Sequence, residues 1–209
     1  MHLLLTDRLA CPRCGPAFGL ILLANRLEDR LVHDGLLGCP NCRDSFPITD
    51  GFGDLRAPPR GEMPDGLVGA PGLQAEENAD RVVALLGVGG GPGTIALVGE
   101  PARHAAAVAA TVEDIQVVGI DPDLRFWPEA PGVSRMVSAP GLPFFGSTLR
   151  AIAVDGRLGR TWLTEAARVL APMGRVVVLR APEATSSALE EEGLSLLASE
   201  AETVVAARG

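Results

Sequence analysis

Apolar positions along the second half of the chain fall in short blocks separated by helical spacing. Residues 95–98 form a β-branched apolar run that reaches Gly99. An alanine-rich stretch, 102–111, follows, and a second apolar run, 115–120, ends at Asp121. Strand, helix and strand in that order have the length of a parallel crossover. Ligands of open parallel sheets bind beyond the carboxyl ends of such strands, which makes Gly99 and Asp121 candidate site residues. The pattern then predicts strands at 134–137, 149–154 and 176–179, and a helix over 161–170 with Trp162, Ala166, Val169 and Leu170 on one face. A further helix is expected over 183–192, and 194–198 with 203–207 read as a closing antiparallel hairpin.

The first fifty residues have a different texture. An apolar run occupies 18–24, and the runs 27–32 and 36–38 flank Asp34-Gly35, which predicts a hairpin turn there. Residues 57–73 hold Pro58, Pro59, Pro64 and Pro71 with Gly61, Gly66, Gly69 and Gly72, the composition of a linker. Ala75, Ala79, Val82, Val83 and Leu86 then recur at helical spacing over 74–86. The expected organisation is a small β module at 1–56, a linker at 57–73 and an α/β domain at 74–209.

Charge agrees with two modules. Residues 1–60 carry seven arginines and seven acids, so the remainder supplies the whole formal charge of −8. That balance counts against sequence-independent nucleic-acid binding. All 18 basic residues are arginine, which reads as compositional bias. No apolar run nears the length of a membrane span, and the first residues lack a basic leader, so a cytoplasmic protein is expected.

Candidate chemistry begins with the four cysteines, Cys11-Pro-Arg-Cys14 and Cys39-Pro-Asn-Cys42. Each C-x-x-C turn can aim two sulfurs at one ion, and two turns complete a tetrahedron. Two disulfides or four free thiols are the alternatives, disfavoured without an export signal. Zinc leads, with iron in a rubredoxin-like site behind it, and the role is structural because no ligand position stays open.

The order Leu9-Ala10-Cys11-Pro12-x-Cys14, then Cys39-Pro40-x-Cys42, then Phe46-Pro47-Ile48-x-Asp50-Gly51 resembles the zinc-ribbon activator subunit of tRNA and release-factor methyltransferases. The resemblance covers about residues 3–56. It implies a ribbon that steadies a methyltransferase and does no chemistry, often fused to methyltransferase domains in bacterial relatives. From residue 74 onward the order of elements resembles class I S-adenosylmethionine-dependent methyltransferases. Glu165-Ala-Ala-Arg-Val-Leu-Ala-Pro-Met-Gly-Arg175 is similar to their segment before strand five, and Leu142-Pro143-Phe144 to their loop before strand four. The fold class expected is therefore a Rossmann-like α/β domain, mostly parallel with an antiparallel last strand, carrying a small zinc-ribbon β domain.

The tract Gly87-Val-Gly-Gly-Gly-Pro-Gly93 looks like a cofactor loop but follows a helix and precedes a strand, so it is expected to be a connector. The resemblance instead places the cofactor loop after residues 95–98. There only Gly99 of three glycines is present; Pro101 and Arg103 stand at the second and third positions, and Leu97 stands where an acid is usual. Asp121 matches the ribose-binding acid, and Ser138 stands at the adenine-edge acid. Asp121-Pro122-Asp123 and Asp155-Gly156 can equally be turns. His2, His33 and His104 show no ligand spacing, and no catalytic residue is assigned. The expected function is a zinc-binding, methyltransferase-like regulatory or docking module that has lost S-adenosylmethionine, with another protein such as a methyltransferase, or a second copy, as partner. The competing expectations are an active S-adenosylmethionine-dependent methyltransferase with an atypical loop and, third, an RNA-binding ribbon.

Overall fold

Six parallel strands form the centre of the structure, and the near-continuous apolar runs at 95–98, 151–154 and 176–179 follow from burial on both faces. The computed structural model describes residues 1–71 and 79–209. The expected helix over 74–86 is seen from Ala79; residues 74–78 lie outside the described residues.

The ribbon starts with a 3-10 turn, Leu3–Arg8, followed by the antiparallel pair β1 (Ala10–Cys11) and β2 (Gly15–Gly19). Then come β3 (Ile21–Glu28), β4 (Leu31–Gly38), β5 (Ser45–Thr49) and β6 (Phe52–Arg56), paired antiparallel in succession from β3 to β6. The α/β part contains α1 (Ala79–Leu86), β7 (Gly93–Val98), α2 (Ala105–Thr111), β8 (Ile115–Ile120) and β9 (Val133–Ala139). It continues with β10 (Leu149–Asp155), α3 (Arg160–Val169), β11 (Leu170–Leu179), α4 (Thr185–Glu191), β12 (Ser195–Glu200) and β13 (Thr203–Ala207).

One sheet runs through both parts in the order β12-β13-β11-β10-β7-β8-β9-β6-β5-β4-β3. Pairing from β11 to β6 is parallel, and β13 lies antiparallel to β11. This is the methyltransferase-like Rossmann sheet expected from the sequence. The ribbon is joined to it by β6, which pairs with β9 from Phe52↔Arg135 to Arg56↔Ala139.

Period-two alternation sorts the strands between two cores. Ile95 and Leu97 pack with Val82, Leu86, Ala105 and Val108 of α1 and α2. Ala96 and Val98 face the other side, in a core shared by α3, α4 and the ribbon residues Leu5, Leu9, Leu37 and Phe46. The loop carrying Leu142-Pro143-Phe144 seals that side: Ala10 N–H donates to Pro143 O at 2.9 Å, and Phe144 is buried beside Leu149.

Two expectations are corrected. The ribbon hairpin turns at Asp29-Arg30, both at positive φ, and not at Asp34-Gly35. Gly35 lies within β4 opposite Ala24, where a Cβ would come 2.6 Å from Leu23 O, so the glycine serves close strand approach at a register shift. Strand five begins at Leu170, directly after α3, because its register against β10 jumps from Leu149↔Leu170 to Ala151↔Arg175 and absorbs the intervening residues.

A shared core and a continuous sheet predict one cooperative unfolding step. In urea, Trp127 and Trp162 emission and ribbon thiol reactivity should change with the same midpoint. Two separated midpoints would show that the ribbon stands by itself.

Candidate functional site

Two places gather chemistry-bearing groups. The first is the thiol cluster. Cys11 and Cys14 lie on the β1–β2 turn, Cys39 and Cys42 on the β4–β5 turn, and their four sulfurs lie within 4.8 Å of one another. A tetrahedral ion with metal–sulfur bonds of about 2.3 Å needs sulfurs about 3.8 Å apart. Cys11 and Cys42 stand 3.7 Å apart, Cys14 and Cys39 3.9 Å. The set therefore could hold one metal ion. Burial pushes the Cys11 and Cys42 thiols up. Burial acts the same way on Cys39, but amide donors from Cys42 and Asn41 outweigh it and bring that thiol to about 7. A cation at the centre would remove the cost of deprotonating the crowded set.

The second place is the crevice at the carboxyl ends of β7, β8, β9 and β10, where the strand order reverses between β8 and β10 on either side of β7. Gly99 ends β7 at φ +72°, and a Cβ there would come 2.9 Å from Asp155 Cβ, 3.2 Å from Leu158 Cδ1 and 3.3 Å from Leu67 Cδ1. Asp121 ends β8 and is only 3% exposed. Its Oδ1 accepts from Asp123 N–H at 2.9 Å and its Oδ2 from Leu67 N–H at 2.9 Å. Burial raises its carboxyl above the ordinary range even though these amides pull it down. Ser138, in β9, is buried and donates to Gly141 O. Gly99, Asp121 and Ser138 thus meet around one cavity of about 280 Å³, with apolar walls from Val98, Ile120, Val137, Leu158 and Trp162.

Leu67 belongs to the stretch read as a linker. Residues 64–67 form the roof of that cavity. Arg56 clips the start of this stretch, bonding both Asp54 oxygens and the carbonyls of Arg60 and Glu62. Asp123 then accepts from Gly66 N–H at 3.3 Å and Gly69 N–H at 2.8 Å, and Trp127 Nε1–H donates to Gly69 O. Sequence reasoning missed these contacts because backbone amides carry no residue signature. The one available signal was Gly66, where a Cβ would fall 2.1 Å from Asp121 Oδ1.

Ion pairs lie beside the crevice on the β10 side. Asp155, fully buried at the tip of β10, meets Arg157 at 2.6 Å and Arg180 at 3.0 Å. Arg180 also meets Glu100 at 3.2 Å, and Glu100 meets Arg103 at 3.2 Å. Burial alone would raise the Asp155 carboxyl, but its bonds to Arg157 and the Arg180 charge hold it below the usual range. Pro101 is buried in the 3-10 turn Glu100–His104. Neither Pro101 nor Arg103 lines the cavity; Leu67 and Leu158 do. His104 is buried and borders a separate groove with Glu100 and Arg180.

The glycine tract is a connector from α1 to β7, as expected. Arg150 donates to the carbonyls of Gly90 and Gly91, and Arg175 to Leu85 O at the end of α1. A Cβ on Gly87 or Gly93 would strike these arginines.

No protein-family model matches the chain, and no curated protein matches it in sequence. Solved structures do match in fold. The precorrin-6y C5,15-methyltransferase of Geobacter metallireducens aligns with a TM-score of 0.51 at 12% identity, over 67% of this chain and 94% of that one. A chain from the complex between the Haloferax volcanii Trm112 methyltransferase activator and the protein assigned as a methyltransferase aligns at 0.48 and 17%, over 58% and 69%. A geranyl diphosphate methyltransferase bound to S-adenosylmethionine gives 0.48 and 14%, over 63% and 75%. The fold is methyltransferase-like. Among the described residues, no helix is long and apolar enough to cross a membrane.

Asp155→Asn should cost about 1–3 kcal/mol, since a buried charge-assisted set loses its anion. A carboxyl held below its unfolded value stabilises the fold above that value, and the contribution is lost as pH falls below about 4 and through the folded value. Urea midpoints measured across that range should fall more steeply for the wild type than for Asp155→Asn.

Proposed function

We propose that this chain is a zinc-holding, methyltransferase-like protein that does not take up S-adenosylmethionine and serves as a docking or regulatory module. The Glu100–Arg180–Asp155 bridge carries the reading. It spans the tips of β7, β10 and β11 at the switch point, where the amino-acid end of the cofactor would need open backbone. Pro101 in place of a glycine supports it, because it removes an N–H and fixes φ two residues after Gly99, while Arg103 pairs with Glu100 outside the cavity. In this reading Gly99, Asp121 and Ser138 are what is left of a cofactor site.

Cys11, Cys14, Cys39 and Cys42 would hold zinc, and the ion would stabilise the ribbon without touching the crevice. The partner would be a protein. The edge strand β3 supports that: Ile21 is 57% and Leu23 61% exposed, and their outer backbone edge has no neighbouring strand among the described residues. The net negative charge argues against nucleic acid.

A second reading, an active S-adenosylmethionine-dependent methyltransferase with an atypical loop, draws on the cavity beside Gly99 and Asp121. Isothermal titration decides between them. No heat on adding S-adenosylmethionine is expected, and a micromolar dissociation constant would overturn the docking reading. For the metal, atomic spectroscopy should find one zinc per chain, and Cys39→Ser should lose the zinc and lower the melting temperature. Full zinc content in that variant would remove the four-thiolate assignment.

A further inference from the structure

Residues 64–69 do more than bridge the ribbon and α1. Their backbone bonds a pair of carboxylates at the tip of β8. Leu67 N–H takes Asp121 Oδ2, while Gly66 and Gly69 N–H take the two oxygens of Asp123. The remaining Asp121 oxygen is taken by Asp123 N–H. The Leu67 side chain reaches the space above Gly99. An acid at the end of the second strand of a Rossmann unit binds the hydroxyls of a ribose. Here each oxygen of that acid already accepts a hydrogen bond, and the donors belong to the chain itself.

We propose that residues 64–69 are a tethered occupant of a nucleoside site, a strap whose Leu67 amide stands in for a ribose hydroxyl on Asp121. The site refuses a nucleoside while the strap is seated and accepts one when the strap leaves. The proposal rests on the reading that Gly99, Asp121 and Ser138 are the remains of a cofactor site, and it adds how that site is kept closed. It is separate from the ion bridge, which joins the tips of β7, β10 and β11.

Three features show that the strap is built for this seat. Arg56 fixes its approach through two carbonyls and the Asp54 carboxylate. Gly66 is required, because any Cβ would fall 2.1 Å from Asp121 Oδ1 and 2.5 Å from Asp123 Cγ. Trp127 clasps the far side through Gly69 O. Together the strap makes one bond to the ribose-type acid and three to its neighbours, so it can be loosened without altering Asp121.

The test uses the full chain and two variants that release the strap differently. Gly66→Ala forces it off by contact, and Asp123→Ala removes two of its acceptors while adding no atom and leaving Asp121 whole. Gly89→Ala, in open space on the connector before β7, is the control. In both variants the Leu67 and Gly69 amides should exchange with solvent at least about tenfold faster, the scale of one charge-assisted hydrogen bond. Trp127 emission should shift to the red. Adenosine, which has the ribose but no methionine tail, should bind the variants at least about tenfold more tightly than the wild type. Adding Asp121→Ala to Asp123→Ala should abolish that gain.

Wild-type protein that binds adenosine as tightly as the variants would overturn the proposal. So would variants whose strap amides exchange fast while adenosine is still refused. S-adenosylmethionine separates the two readings. If the released variants bind it as tightly as adenosine, the strap proposal stands and the closed amino-acid end fails. If all forms refuse it while wild type and variants bind adenosine alike, the strap proposal fails and the ion-bridge reading stands.

Discussion

The parallel pairing of β6 with β9 decides the shape of everything around the crevice. Because β6 runs in the same direction as β7, β8, β9 and β10, its carboxyl end lies at the same rim as theirs. The chain leaving Arg56 is delivered to the mouth of the ligand crevice, while β7 starts at the opposite end of the sheet. The connection therefore has to pass over the strand tips. An antiparallel attachment would have released the chain at the far edge. The strap, the Arg56 clip and the roof of the cavity all follow from that one choice of direction. The same pairing explains why the ribbon and the α/β part share a core: Leu5, Leu9 and Phe46 cover the sheet face that Phe144 and α3 also cover.

The buried parallel strands and the cysteine cluster were legible in the sequence for physical reasons. Strands buried on both faces must be apolar throughout, so 95–98 and 115–120 announce themselves, and thiols that converge on one ion come in close pairs. Turn chemistry was less legible. Asp34-Gly35 has the residues of a tight turn, but its glycine is spent on strand contact, and Asp29-Arg30 turns at positive φ with no glycine at all. At the crevice, Gly99, Asp121 and Ser138, singled out in the sequence, border one cavity. Leu67, which borders it too, was not legible, since it acts through its main chain and an unremarkable methyl group. Pro101 and Arg103, which stand at the glycine positions, lie outside the cavity wall, while the ion pairs of Glu100 and Asp155 with Arg180 arise from residues far apart in sequence.

The exclusive use of arginine, read at first as compositional bias, has a structural use. Several of these side chains spread one guanidinium over two or three carbonyls. Arg135 donates to Leu124, Trp127 and Asp50, and Arg168 to Phe144, Leu142 and the Glu165 carboxylate. Arg150 does the same for the glycine connector. A planar five-donor fork suits that task most clearly at Arg168, whose four acceptor oxygens exceed the three donors of an ammonium. Irregular segments that lack regular pairing are thereby held in place, which matters in a chain where such segments roof and flank the crevice.

The β6–β9 contact also sets an order of assembly. The partner that β6 needs is synthesised only after α1, β7, α2 and β8. Until then the apolar side of the ribbon has nothing to lie against. Pairings between segments so distant along the chain form late and leave oily surface uncovered meanwhile. A nascent chain of this design carries its early module on the local pairings β3–β4, β4–β5 and β5–β6 until ribosomes have added β9.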